Sequence, residues 1–165
     1  MLLFILLMLA TFSVHAADRF PEVTGKALTG EEVTLPTDLE KPYTLLAVAF
    51  LRQQQADVDT WIPNMEKIED AREDFAFYEI PTIREMGGIR RWFIYRGMRG
   101  GIPSERARAR TVTLHIDKAP FRKELGIETE DSIYLFLLDA EGAVVWRTQG
   151  EWSPEKEAEL RKQLP

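Results

Sequence analysis

The stretch Tyr43–Trp61 has the sequence YTLLAVAFLRQQQADVDTW, an apolar run that passes directly into a helical pattern. The run from Leu45 to Leu51 is rich in β-forming residues and too short to span a membrane, so it predicts a strand buried on both faces. A strand of that kind needs layers of structure on both sides. The turn after it is where α/β proteins usually present reactive groups, because backbone N–H groups and a helix dipole converge there.

That turn carries four polar residues and no nucleophile: Arg52, Gln53, Gln54 and Gln55. The chain contains no cysteine, so thiol chemistry is excluded and no disulfide can brace an exported form. We therefore predict a scaffold without catalytic, cofactor-binding or metal-binding residues. The four residues of the turn are the first candidate partner-binding surface.

The rest of the chain alternates predicted strands with predicted helices. In order, the predicted elements are a hairpin over Phe20–Leu35, a helix over Ala56–Asp74 kinked at Pro63, a strand over Phe75–Ile80 ended by Pro81, a helix over Thr82–Met98, a strand over Thr111–Ile116, a helix over Pro120–Leu125, a hairpin of Ser132–Leu138 with Ala143–Thr148, and a helix capped by Ser153. This order predicts one α/β domain over residues 17–165, a three-layer sandwich with a mixed sheet and an N-terminal hairpin.

Residues 1–16 have the pattern of a secretory signal peptide. Leu2–Phe12 is apolar, and Val14 and Ala16 occupy the −3 and −1 positions for cleavage after Ala16. The apolar segment is well short of the ~20 residues that span a bilayer. We expect an exported protein, periplasmic or extracellular. An uncleaved signal anchor is the alternative, since no basic residue precedes the apolar segment.

Charge is distributed unevenly along the chain. The net charge is −6, which argues against nucleic-acid binding by the surface as a whole. Arg84–Arg110 nevertheless holds eight arginines and two glutamates, a net +6, which leaves −12 for the remainder. The second candidate partner-binding surface lies in this segment and consists of Arg90, Arg91, Arg96 and Arg99 with the aromatic residues Trp92, Phe93 and Tyr95.

This arginine-rich surface has two interpretations. Arginine and aromatic residues are enriched at interface hot spots, and the positive charge would attract an acidic partner or lipid headgroups. Alternatively, Trp92 and Phe93 belong to the core, and the arginines neutralise the acidic face of the preceding helix. His115 stands without a second histidine or a cysteine at metal-ligand spacing, so we predict a structural role for it.

Several motifs resemble those of a known family. The order of elements, together with Phe136–Trp146, resembles thioredoxin-like exported proteins and peroxiredoxins. The combination of LTGEEVTLP (Leu28–Pro36), RRWFIYRGMRGGIP (Arg90–Pro103) and YLFLLDAEGAVVW (Tyr134–Trp146) with a following Gly150 is similar to the family of the mitochondrial ATP synthase assembly factor ATP10 and its bacterial relatives. This resemblance covers nearly all of the chain after the signal peptide and implies a thioredoxin-like fold.

The chain departs from the thioredoxin pattern at its redox site. The two cysteine positions of that pattern correspond to about Gln55 and Val58, and the position of the cis-proline corresponds to about Ile133. Redox activity therefore cannot be carried over. The resemblance implies a non-catalytic protein that binds a partner polypeptide or helps to assemble it, with a membrane complex as one candidate client. The alternatives are an enzyme of non-thiol chemistry and a peroxiredoxin-like relative that has lost its activity.

Overall fold

The computed structural model describes residues 19–102 and 104–165, apart from the side chain of Arg91. The predicted signal peptide and its cleavage site after Ala16 lie outside the described residues. The strands are β1 (Val23–Ala27), β2 (Glu32–Leu35), β3 (Tyr43–Ala49), β4 (Phe75–Arg84), β5 (Val112–Ile116), β6 (Tyr134–Leu138) and β7 (Val144–Gln149). The α-helices are α1 (Gln55–Asp59), α2 (Ile62–Ala71), α3 (Gly88–Gly101), α4 (Glu105–Arg110), α5 (Lys118–Glu124) and α6 (Pro154–Lys162).

All seven of these strands join one mixed sheet in the order β2-β1-β5-β4-β3-β6-β7. The central strand β3 pairs in parallel with β4 and antiparallel with β6. β5 continues the parallel part beside β4, and the two hairpins add the antiparallel edges. With helices on both faces, this architecture confirms the predicted mixed α/β sandwich.

The side chains of β3 divide between two hydrophobic cores because successive residues of a strand point to opposite faces. Leu46 and Val48 join one core, which α5 covers through Phe121. Leu45 and Ala47 join the other core, which α1, α2 and α6 cover. Burial on both faces explains why this stretch is apolar without alternation, as predicted.

The helix predicted over Ala56–Asp74 is wrong in its continuity. Two helices, α1 and α2, replace it, and they are separated at Thr60 and Trp61. Pro63 lies in the first turn of α2, where a backbone N–H has no helical partner to lose. The proline therefore helps to start a second helix instead of kinking a single one.

The strand predicted to end at Pro81 continues to Arg84. Pro81 stands opposite Ala49, the last residue of β3, so its missing N–H falls where the neighbouring strand ends. Beyond that point β4 pairs with β5, with Thr82 opposite Leu114. The predicted helix over Thr82–Met98 is consequently wrong in its first part, since α3 begins only at Gly88.

Two further differences are that α3 ends at Gly101, three residues later than predicted, and that α4 was not predicted, whereas the remaining elements follow the sequence closely. Gly30 has a φ of 113° in the turn of the first hairpin, a conformation that favours glycine. The side chain of Ser153 accepts a hydrogen bond from the Lys156 N–H and caps α6, as predicted. α5 begins two residues earlier than predicted because Asp117 caps it.

Candidate functional site

The turn between β3 and α1 contains the first candidate partner-binding surface. Arg52 and Gln53 are exposed there, and their side chains form no hydrogen bond or ion pair within the described part of the chain. Both remain accessible to a partner. Their role in binding stays a prediction.

Gln54 is a correction to this surface, because its side chain is directed inward. The residue is 3% exposed, and its Oε1 accepts hydrogen bonds from the backbone N–H groups of Phe50 (2.8 Å) and Leu51 (3.1 Å). Its Nε2 donates to the Glu130 carbonyl at 2.6 Å. Gln54 therefore fixes the turn to the loop before β6 and is not available to a partner.

Gln55 contacts two carboxylates. Its Nε2 donates to Glu79 Oε2 at 3.0 Å and to Asp59 Oδ1 at 2.9 Å. Glu79 lies in β4 and is 8% exposed. Burial raises the pKa of Glu79 above its ordinary value, the hydrogen bond from Gln55 opposes that rise, and the charge of Asp59 adds to it. This contact holds the first turn of α1 against the sheet.

A group of charged residues also contacts the start of this turn. Lys118 Nζ donates to Glu130 Oε2 at 2.8 Å and to the Phe50 carbonyl at 3.3 Å, and Arg122 Nη1 donates to Glu130 Oε1 at 3.2 Å. Burial opposes ionisation of Glu130, but hydrogen bonds and charges from Lys118 and Arg122 hold its pKa below the ordinary value. Sequence reasoning missed this cluster because its members lie more than 60 residues from the turn.

The second candidate surface lies on α3, which exposes three large hydrophobic side chains. Ile89 is 78% exposed, Trp92 53% and Phe93 64%. Only two other large hydrophobic residues are exposed in the described part of the chain, and neither is in α3. The rings of Trp92 and Phe93 meet edge to face with centroids 5.0 Å apart, and the Arg96 guanidinium lies 5.3 Å from the Trp92 ring centroid.

The opposite side of α3 attaches the helix to the sheet. The Tyr95 hydroxyl donates to the Leu28 carbonyl at 2.9 Å, and Lys26 Nζ lies 5.5 Å from the Tyr95 ring centroid. The Thr113 hydroxyl approaches Met98 Sδ at 4.0 Å. Tyr95 is thus a structural residue, and the alternative that placed Trp92 and Phe93 in the core is wrong.

Five arginines of Arg84–Arg110 show two different environments. Arg106 forms ion pairs with Glu69 and Asp70, each at 2.9 Å, and Arg110 pairs with Glu69. For these two, intramolecular neutralisation of the acidic helix is the correct interpretation. In α3, by contrast, the side chains of three arginines have no carboxylate within 4.0 Å among the described residues: Arg90, Arg96 and Arg99.

Two other kinds of site have no support in the described ranges. No group of three or more His, Asp or Glu side chains there could hold a metal ion. No helix of the described chain has the length and apolar character needed to cross a membrane. The partially buried His115 lies in β5, inside the sheet.

Comparison with known proteins identifies the fold. The chain is similar to the thioredoxin domain of a thiol-disulfide oxidoreductase from Bacteroides vulgatus, with a TM-score of 0.60, 19% identity, and coverage of 93% of this chain and 100% of that one. The fold is thioredoxin-like. A thiol-disulfide oxidoreductase from Bacteroides fragilis has a TM-score of 0.56 at 14% identity, with 88% and 99% covered. A thioredoxin family protein from Chlorobium tepidum, a thiol:disulfide interchange protein, has a TM-score of 0.54 at 14% identity, with 92% and 98% covered.

Neither a scan against protein-family models nor a search of curated proteins gave a match. In the thioredoxin-like fold, the reactive dithiol follows the central strand, where this chain has Gln55 at the exposed start of α1 and the buried Val58. Ile133, which is also buried, precedes β6 at the expected cis-proline position. Since the chain has no cysteine, this scaffold has no group that could exchange disulfides.

Proposed function

We propose that the protein is a non-catalytic thioredoxin-like protein that holds an acidic partner polypeptide on α3. One observation carries this proposal. The outward face of α3 combines the exposed side chains of Ile89, Trp92 and Phe93 with arginines that have no carboxylate partner among the described residues. Exposed apolar clusters of this kind mark interaction sites, because water contact with them is unfavourable.

The residue types on α3 support a protein interface. Tryptophan and arginine are over-represented among residues that dominate binding energy, because each buries a large area and arginine adds directional hydrogen bonds. α3 contains four arginines and no acidic residue, within a chain of net charge −6. Such a local positive field would attract an acidic partner and accelerate the encounter.

The resemblance to ATP10 supports the mode of action, which is assistance to the assembly of another polypeptide. We carry over this mode and not the client, because the mitochondrial factor works on the matrix side whereas the predicted signal peptide would place this chain outside the cytoplasm. Export is part of the proposal. N-terminal sequencing of the protein from its native host should find Ala17 first, and an intact Met1 in a cytoplasmic fraction would contradict export.

An enzyme of non-thiol chemistry is the second candidate. The raised pKa of Glu79 favours it, because a carboxyl group that ionises closer to neutral pH can transfer protons. Glu79 is only 8% exposed and already hydrogen-bonded by Gln55, so a substrate has little access to it. Binding on α3 therefore explains more of the exposed surface. A peroxiredoxin-like relative that has lost its activity is compatible with the same binding role.

Reversing the charge of α3 is expected to reduce partner recovery strongly. In crosslinking and pull-down from native membranes, the variant with Arg90→Glu, Arg96→Glu and Arg99→Glu should recover the partner at least about tenfold less than the wild type, which corresponds to a loss of about 1.4 kcal/mol. Trp92→Ala with Phe93→Ala should give a similar loss, because it removes the apolar contact area. The Arg52→Glu variant tests the first candidate surface in the same experiment.

The matched control reverses three exposed lysines away from α3: Lys67→Glu, Lys123→Glu and Lys162→Glu. It changes the net charge by the same amount and should leave partner recovery unchanged. If the wild type recovers no specific partner, or if the α3 variant recovers the same partner equally well at low salt, binding on α3 is wrong.

A further inference from the structure

α3 contains glycines that nothing in the described structure requires. A Cβ atom placed on Gly97 or Gly100 would meet no atom within 4 Å. Neither residue has a positive φ, so the backbone does not require glycine either. Glycine disfavours helix formation, because it loses the most conformational freedom when the helix forms. No contact within the described part of the chain therefore explains why these two positions are glycine, and the surface over them is open.

The exposed apolar residues of α3 are Ile89, Trp92 and Phe93. Gly97 and Gly100 continue this stripe along the same side of the helix. From Ile89, steps of four, four and three residues lead to Phe93, Gly97 and Gly100, and such steps keep residues on one side of a helix. The first half of the stripe thus projects large side chains, whereas the second half leaves the backbone bare. Arg96 lies four residues before Gly100, on the same side of the helix, and Arg99 directly precedes Gly100.

We propose that this stripe seats an acidic, amphipathic helix of the partner polypeptide. The apolar side of that helix packs on Ile89, Trp92 and Phe93, and its backbone approaches α3 closely over Gly97 and Gly100. Small residues permit that close approach between helices, as they do in membrane helix pairs. Acidic residues along the partner helix then reach the guanidinium groups of Arg96 and Arg99. This inference rests on the proposed function.

Two other occupants fit the stripe less well. A bilayer surface favours a continuous apolar face, whereas glycines reduce the apolar area and Arg96 places a charge beside Phe93. A second copy of this chain, docked α3 against α3, would bring together two helices that each carry several arginines and no acidic residue. An acidic helix can pair with the arginines that have no carboxylate partner in the described chain, and it can also pack closely over the two glycines.

Filling the bare half of the stripe tests the inference. A photo-crosslinking amino acid at position 93 identifies the contacting segment in native membranes by mass spectrometry, and that segment is then synthesised as a peptide probe. We expect the peptide to be acidic, to be helical when bound, and to bind the Gly97→Leu/Gly100→Leu variant at least about tenfold more weakly than the wild type. The same variant should have a higher melting temperature, because leucine favours the helix. If the two glycines served only the stability of the fold, peptide binding and melting temperature would change in the same direction.

Glu159→Leu with Lys162→Leu is the matched control. Both residues are exposed on α6, three positions apart and away from α3, and replacing them leaves the net charge unchanged, so peptide binding should not change. The helix inference is overturned if the Gly97→Leu/Gly100→Leu variant binds the peptide as tightly as the wild type, if position 93 crosslinks only to a non-helical segment, or if it crosslinks only to lipid or to this chain. The proposed function itself fails in a different way, when neither the arginine nor the aromatic variant changes partner recovery.

Discussion

Replacement of Trp61 by alanine is expected to lower the free energy of unfolding by about 3–5 kcal/mol. Trp61 is the largest fully buried side chain and packs in the core between the sheet and α1, α2 and α6. Its Nε1 donates to the Gly150 carbonyl at 3.0 Å, which joins the α1–α2 junction to the loop after β7. Alanine would leave a cavity and an unsatisfied carbonyl, a loss that is large against the 5–15 kcal/mol that stabilises most domains.

Trp92 provides the matched control for Trp61. Trp61 directly precedes α2 and is fully buried, whereas Trp92 lies in α3 and is exposed. Trp92→Ala should change the free energy of unfolding by less than about 0.5 kcal/mol in urea denaturation, as is usual for surface positions. Trp61→Phe should fall between the two, because it keeps most of the volume and loses the hydrogen bond. A Trp61→Ala variant that is as stable as Trp92→Ala would contradict the described core.

The fold was predictable where local pattern and tertiary structure agree. Tyr43–Ala49 is apolar throughout because both faces of β3 are covered, and a continuous apolar run is the direct signature of that environment. The errors came at Pro63 and Pro81. The sequence shows that each proline lacks a backbone N–H, but it does not show whether a carbonyl group stands where that N–H would have donated a hydrogen bond. Pro81 stays in its strand only because β3 ends beside it, which is a property of the neighbouring strand.

The candidate site was less predictable, because the spacing of residues along the chain does not show which side chains are exposed or which distant residues pair. A stripe of Ile89, Trp92 and Phe93 has the same periodicity whether it faces a core or a partner. The Gln54 side chain looks available from composition alone, yet it closes a contact with Glu130, 76 residues away. The division of the arginines likewise depends on which of them reach Glu69.

Glu69 is therefore the residue whose loss should most disturb the arginine-rich segment. Its side chain in α2 is 2% exposed and accepts hydrogen bonds from the Phe77 N–H at 2.7 Å and from Arg106 at 2.9 Å, in addition to its ion pair with Arg110. One carboxylate thus joins α2, β4 and α4. Burial lowers the pKa of Arg110, although nearby Glu66 opposes this effect, so the Arg110 guanidinium is already partly desolvated.

Glu69→Ala is expected to cost about 1–3 kcal/mol in urea denaturation, because it leaves the Phe77 N–H and two partly exposed guanidinium groups without their acceptor. Glu69→Gln should cost less, since an amide oxygen can still accept from the Phe77 N–H. Glu66→Ala is the control, because Glu66 is an exposed carboxylate on the same helix that forms no ion pair in the described chain. If Glu69→Ala is no less stable than Glu66→Ala, the structural role assigned to Arg106 and Arg110 is wrong.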